Sequence, residues 1–210
     1  MNPAVAMAVV LAGLPASGKT TIAGHLQRAL NGVLIRSCDV YAALGIDLPA
    51  WVERTAGFTR DVAAYDAVRD AAYAEMGRRL REALAAGTAP VILDAVHGER
   101  KHRHAVRGIC RAAGAVSLMV LCRCDDLQEI ERRFSARRGR EREPECEASD
   151  LAVYRDIRRR WQDPAADRPP WTTIVVDSGR GRVSAPTTEP ALAARIADVL
   201  LPYARSGGVF

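Results

Sequence analysis

The sequence predicts an α/β protein whose core is a five-stranded, mostly parallel sheet flanked by helices. Three observations carry that expectation. Short apolar runs recur along the 210 residues. Amphipathic segments separate them, and a glycine-rich turn joins the first run to the first amphipathic segment. Strands alternating with helices call for parallel pairing with helices on both faces of the sheet. The length suits a single domain with a well-filled core.

Residues 6–12 (AMAVVLA) are apolar throughout, as a strand buried on both faces requires. A helix is expected over 18–30, with Ile22, Leu26 and Leu30 on one stripe. Residues 33–36 form a second short strand, and Asp39 just beyond it is placed to cap the turn VYAAL. Residues 59–86 are predicted as one long helix, because Tyr65, Val68, Ala72, Met76, Leu80 and Leu84 recur at three- and four-residue steps. Thr59 is its expected cap and Gly87 its terminator. Pro90 leads into the strand VILD at 91–94. A basic helix over 99–113 turns Val106, Ile109 and Cys110 inward and stops at Gly114. Residues 116–122 are the fourth strand. Asp125 or Asp126 opens a helix carrying Leu127, Ile130 and Phe134, whose far end runs into RRGREREPECEAS without apolar period. Ser149 caps a further helix with Leu151, Tyr154, Ile157 and Trp161 at helical spacing. Pro164, Pro169 and Pro170 mark a loop before the fifth strand at 172–176. Residues 178–189 read as a flexible connection and 191–203 as a closing helix. The charged segment 135–148 is the one inserted feature.

Composition narrows the function. The net charge is +5 with pI ≈ 9.2, and arginine supplies nearly all of the positive charge, since Lys19 and Lys101 are the only lysines. Arginine concentrated in one segment points to an anionic ligand and only weakly to nucleic acid. Five cysteines (Cys38, Cys110, Cys122, Cys124 and Cys146), an odd number without C-x-x-C spacing, argue against a disulfide framework and a zinc site. Cys122 and Cys124 are expected as small core residues. No run is long and apolar enough for a bilayer span. The apolar opening runs directly into a ligand-binding motif, so it is not read as a cleavable leader, and a cytoplasmic protein is expected.

That motif is Gly13-Leu14-Pro15-Ala16-Ser17-Gly18-Lys19-Thr20, followed by Thr21. It fits G-x-x-x-x-G-K-[ST] at every fixed position and lies between a buried strand and an amphipathic helix. Glycines let the main chain wrap an anion with its N–H groups, and the helix start adds a favourable dipole. Lys19 would reach the β- and γ-phosphates of ATP, and Thr20 would ligate Mg²⁺. The context therefore defines a P-loop NTPase fold. Asp94, ending an apolar strand, is the expected second Mg²⁺ ligand. Ala95 follows it where many ATP-hydrolysing machines carry glutamate, and neither N-K-x-D nor L-S-G-G-Q occurs. A GTPase switch and a transporter ATPase are thereby disfavoured.

Asp39 stands at the carboxyl end of the second strand, where open α/β sheets bind ligands. A carboxylate there can take the proton of an attacking hydroxyl, and the same residue can cap a helix. Arg132, Arg133, Arg137, Arg138, Arg140 and Arg142 form the arginine-rich segment expected as a lid over 135–148. An arginine closing over the transferred phosphoryl would stabilise its charge; Arg137 is favoured, then Arg133. Most of the others are read as a solvated helix end partnered by Glu131, Glu141 and Glu143.

The run GLPASGKTTIA, then SCDVYAAL, then VILDAV, then an arginine-rich stretch leading into SDLAVYRDIRRRW resembles a bacterial group of P-loop kinases. That group is related to polynucleotide kinase, zeta-toxin and chloramphenicol phosphotransferase. The resemblance covers roughly residues 7–177 and implies Asp39 as base and lid arginines within 133–142. Where relatives often carry threonine or asparagine after the D-A pair, this chain has Val96-His97. His97 is left with two readings, an acceptor contact or a helix cap. A metal site from His97, His102 and His104 is disfavoured, since helical positions two apart diverge.

The leading expectation is an ATP-dependent kinase of a small-molecule alcohol such as a sugar, a nucleotide sugar or an antibiotic. A 5′-hydroxyl kinase of RNA or DNA is the alternative, with Arg78, Arg79, Arg81 and residues 100–111 as a phosphate track, although stacking aromatics are sparse. A non-catalytic ATP-binding module is the third. Acceptor contacts are expected from residues 41–73 and from those after Asp94. Trp51, Phe58 and Tyr65 either line that pocket or pack in the core. Membrane partners are not expected, and the oligomeric state is not legible.

Overall fold

The computed structural model describes residues 6–46, 62–87, 90–138, 151–185 and 190–205. Its elements in chain order are β1 Met7–Ala12, α1 Lys19–Leu30, β2 Val33–Arg36, α2 Ser37–Ala43, α3 Val62–Ala85, β3 Val91–Asp94, α4 Arg100–Ala112, β4 Val116–Arg123, α5 Leu127–Arg138, α6 Leu151–Arg160, a 3₁₀ turn Pro164–Ala166, β5 Thr173–Asp177, β6 Arg182–Ser184 and α7 Pro190–Arg205.

The sheet order is β2-β3-β1-β4-β5-β6. The first five strands pair in parallel. β1 and β3 are buried at every position, as the apolar runs require. Alternation along the strands feeds two cores. Ala8, Val10, Val91 and Leu93 meet α3 through Ala72, Met76, Leu80 and Leu84, and α4 through Val106 and Cys110. Val9, Leu11 and Ile92 meet Ile22 and Leu26 of α1 and Ala193, Ile196 and Leu200 of α7. A third, smaller core joins Ile130 and Phe134 of α5 to Tyr154 of α6 and to Ala16 of the glycine-rich loop.

Four expectations need correction. The sheet has six strands, because residues 182–184 fold back antiparallel on β5 through Gly181, whose φ is 61°. An edge strand with an exposed–intermediate–exposed pattern needs no apolar run, so nothing in 178–189 announced it. Asp39 does not cap α2: the helix starts at Ser37 directly from extended Arg36, leaving Asp39 within the first turn. A carboxylate there still suits the helix dipole. Glu99, not His97, occupies the N-cap position of α4. Cys38 is disulfide-bonded, and its partner lies outside the described residues because Cys110, Cys122 and Cys124 are free. An odd count excludes complete pairing, not one bridge. Thr59, Trp51, Phe58, Ser149 and residues 139–148 of the expected lid also lie outside the described residues. No described helix is long and apolar enough to cross a membrane.

A buried ion pair fixes the loop before β5. Arg103 and Asp167 are both fully buried. Arg103 Nε and Nη2 donate to the two Asp167 oxygens at 2.7 and 2.6 Å, and Trp171 Nε1 donates to the same carboxylate at 3.0 Å. Removing one partner of such a pair strands the other in a low-dielectric site. Arg103→Met should therefore lower unfolding free energy by about 3–5 kcal/mol in urea titrations, whereas Arg111→Met at the exposed end of α4 should change it little.

Candidate active site

Backbone constraints shape the loop between β1 and α1. Gly13 N donates to Val96 O at 3.1 Å, tying the loop's start to the residues after β3. A Cβ at Gly13 would lie 2.4 Å from the Cys122 carbonyl oxygen, so glycine alone lets the loop pass β4 this closely. Ala16 takes the left-handed conformation at φ 61°, and its carbonyl accepts from Arg133 Nη1 at 2.9 Å. Gly18, at φ 88°, begins α1 with no side-chain cap. No capping side chain competes for the first-turn amides at the positive end of a 12-residue helix.

The chemistry-bearing side chains gather around this loop. Lys19 is buried, and its Nζ donates across the loop to Leu14 O at 2.9 Å. Ser17 Oγ is buried without a hydrogen-bond partner. Pro15 is buried and Leu14 half-buried, while Thr20 and Thr21 are exposed. Asp94 ends β3, buried and in register beside Leu11 of β1. A glycine cradle, an orphaned hydroxyl and a buried ammonium fit a polyphosphate. The Thr20 hydroxyl and the Asp94 carboxylate are oxygen donors of the type Mg²⁺ accepts. Among the described residues no group of three or more His, Cys, Asp or Glu is arranged for a metal. Mg²⁺ takes one or two protein ligands and completes its shell with phosphate and water.

Asp39 is exposed in the first turn of α2. It stands at the carboxyl end of β2, with β3 between its strand and β1. Arg133 is buried and committed to the loop. Besides Ala16 O, it donates to Ser178 Oγ at 2.9 Å, Ser178 O at 3.2 Å and Glu129 at 2.7 Å. Arg132 is paired with the same Glu129. The Arg137 backbone belongs to the last turn of α5, and its side chain lies outside the described residues.

Neither sequence reading of His97 describes what it does. The residue is fully buried at φ 44°, and its Nδ1 lies 2.7 Å from Leu11 O. Its N–H donates to Tyr73 Oη at 2.9 Å, and its carbonyl accepts from Arg103 Nη1 at 2.9 Å. Burial pushes the imidazole down to about 4, so it is neutral at pH 7. The Nδ1–H therefore donates to Leu11, bracing the loop after Asp94 against β1. His102 is held apart from it, with Nε2 2.8 Å from Asp70 and its ring stacked on Tyr73 at 3.8 Å. Tyr65 is buried between the guanidinium groups of Arg69 and Arg160, at 5.1 and 5.5 Å from its centroid. Arg103 and Arg133 were missed as buried anchors. Their signal was position: Arg103 shares a stripe with Val106 and Cys110, and Arg133 adjoins Ile130 and Phe134.

Fold, glycine loop, buried lysine and strand-end aspartate together define a P-loop nucleotide-binding protein. The chain belongs to the AAA domain family, which matches residues 9–164. No protein of curated function matches the sequence. Among solved structures, a putative kinase from Chloroflexus aurantiacus aligns with TM-score 0.58 and 18% identity, over 92% of this chain and 96% of that one. A sugar kinase from Janibacter sp. HTCC2649 aligns with TM-score 0.57 and 16% identity, over 96% and 93%. A gluconokinase from Sinorhizobium meliloti 1021 aligns with TM-score 0.51 and 17% identity, over 95% and 91%. At these identities the likeness is one of fold.

Two outcomes follow from this geometry. Gly13→Ala drives a methyl into the Cys122 carbonyl, an overpacking cost of about 1–3 kcal/mol, and should weaken ATP binding roughly tenfold to a hundredfold in calorimetric titration. For His97, the unfolded imidazole titrates at 6.5 and the folded one at about 4. Between those values the unfolded chain binds more protons. The stabilisation is thus complete above pH 6.5 and lost as pH falls toward 4, a total on the order of 3 kcal/mol. Urea midpoints should drop between pH 7 and 4.5 more steeply for the wild type than for His97→Asn, a residue that tolerates positive φ.

Proposed function

We propose that the protein transfers the γ-phosphate of ATP to a hydroxyl group of a small molecule. One observation carries this reading: a single sheet edge presents nucleotide-binding groups on β1, α1 and β3 and an exposed carboxylate, Asp39, on the flank beyond β3. Main-chain N–H groups of the glycine-rich loop and of the first turn of α1 hold the triphosphate with the Lys19 ammonium, although Pro15 has no N–H and that of Gly13 is committed to Val96 O. Thr20 and Asp94 would hold Mg²⁺, which would supply neutralisation of the phosphate charge. Asp39 accepts the proton as the acceptor oxygen bonds to the γ-phosphorus. The bond from that phosphorus to the β–γ bridging oxygen breaks, and ADP leaves. An arginine of the segment 135–148, Arg137 first, would cover the transferred oxygens.

A small acceptor is favoured over a nucleic acid because the expected phosphate track is largely compensated. Arg78 is paired with Glu75 and Glu82, and Arg79 with Glu75. Arg100 is paired with Asp167 and Lys101 with Asp70. Arg107 donates to Pro169 O at 2.6 Å and covers the Trp171 ring. The fold shared with a gluconokinase and a sugar kinase fits the same reading, as does resemblance to the kinases related to chloramphenicol phosphotransferase. A cytoplasmic site of action accords with it.

The test is a transfer assay with γ-labelled ATP over a metabolite panel and an oligonucleotide panel. Asp39→Asn should lower the transfer rate by about 10²- to 10⁴-fold, as loss of a general base does, with ATP affinity little altered. Normal transfer by that variant removes the base assignment. ATP binding without transfer to any acceptor leaves a nucleotide-binding module.

A further inference from the structure

The mechanism leaves a cation at the same sheet edge unused. Arg36 is the last residue of β2 and immediately precedes α2. It is half-buried, and its Nε is shut away from solvent with no hydrogen-bond partner. No ion pair among the described residues involves it. Arg69, whose buried Nε also lacks a hydrogen-bond partner, has carboxylates on its other nitrogens, Asp66 at 3.0 Å and Glu99 at 2.6 Å. A guanidinium with a dehydrated edge and no anion among the described residues is an incomplete arrangement that a ligand can complete.

Its location selects the ligand. Arg36 and Asp94 are register partners on adjacent strands. Leu34 and Ile92, two residues earlier on each strand, both pack into the α1-side core. By alternation Arg36 and Asp94 share that face. Asp39 follows Arg36 by three residues. In the order β2-β3-β1, the arginine strand is two spacings from the P-loop strand, roughly 10 Å at about 4.8 Å per spacing. The charge thus belongs to the flank where Asp39 would meet the acceptor, on the far side of Asp94 from the nucleotide loop. The triphosphate already has Lys19, the loop amides and the metal ligands.

We propose that Arg36 binds an oxyanion, carboxylate or phosphate, carried by the acceptor alcohol itself. This rests on the kinase reading above and narrows its substrate to anionic alcohols. Two parallel N–H donors of a guanidinium match such a group, and they hold it at fixed orientation beside the base.

The experiment uses the full chain saturated with AMP-PNP and Mg²⁺. Three probes are titrated calorimetrically: gluconate, glucose 6-phosphate and the neutral glucitol. At least one anion should bind about tenfold or more tighter than glucitol. Which anion wins distinguishes carboxylate from phosphate. Arg36→Gln should bring both anions to within about threefold of glucitol, and Arg36→Lys, which keeps the charge but loses the fork, should retain part of the advantage. Anions that bind no better than glucitol overturn the proposal, and so does a preference that survives in Arg36→Gln. Failure of the protein to take up AMP-PNP is seen in the first titration, before any probe is added. It overturns the nucleotide reading and this one with it, whereas normal uptake with no anion preference overturns this one alone.

Discussion

The approach of the main chain at Gly13 to the carbonyl of Cys122 is the constraint on which the site depends. Parallel pairing of β1 with β4 sets how close the two strands run, with Ala12 opposite Leu121. The chain leaving β1 must turn across the end of β4 with no room for a side chain. That turn aims the next residues toward the positive end of α1, which no side chain caps. The buried Lys19 ammonium then lies over main-chain groups rather than over apolar surface. Phosphate recognition in this protein is therefore a property of backbone path first and of side-chain identity second.

A polar spine runs beneath that surface. Asp167 grips Arg103, Arg103 grips the His97 carbonyl, and the His97 ring grips Leu11 O. Each link joins a different element: the loop before β5, α4, the loop after β3, and β1. Isolated buried polar groups are costly, but here the donors named meet acceptors, and the atom left without a partner is the His97 Nε2 lone pair. The segment that follows Asp94 is thus held from two sides at left-handed His97, which keeps the Asp94 strand end still relative to the P-loop. Tyr73 closes the spine laterally, taking the His97 N–H on its hydroxyl and the His102 ring on its face.

Most of the fold was legible because burial on both faces leaves a loud signal. The runs at 91–94 and 116–122 and the stripe from Tyr65 to Leu84 have no other economical explanation. β6 was silent for the opposite reason: a three-residue edge strand flanking an exposed turn owes nothing to apolar pattern. The P-loop residues were equally plain, since the motif is itself a description of backbone geometry. His97, Arg103 and Arg133 were not, because a charged residue on an apolar stripe has two outcomes that local sequence does not separate. It snorkels to solvent, or it meets a partner distant in the chain. Arg103 finds Asp167, 64 residues away. Cys38 illustrates the same limit, since pairing depends on proximity that a count of cysteines does not supply.

The contact between Arg133 and Ala16 bridges 117 positions, and the one between Arg133 and Ser178 bridges 45. Ala16 sits in a conformation that costs a non-glycine residue energy, and the cation that grips its carbonyl belongs to a helix made much later. A nascent chain that has emerged only through β3 carries the whole glycine-rich motif yet lacks this clamp. Contacts of such long sequence separation form late. Maturation of the nucleotide loop is therefore tied to docking of the C-terminal half, and the motif acquires its working shape only near the completion of folding.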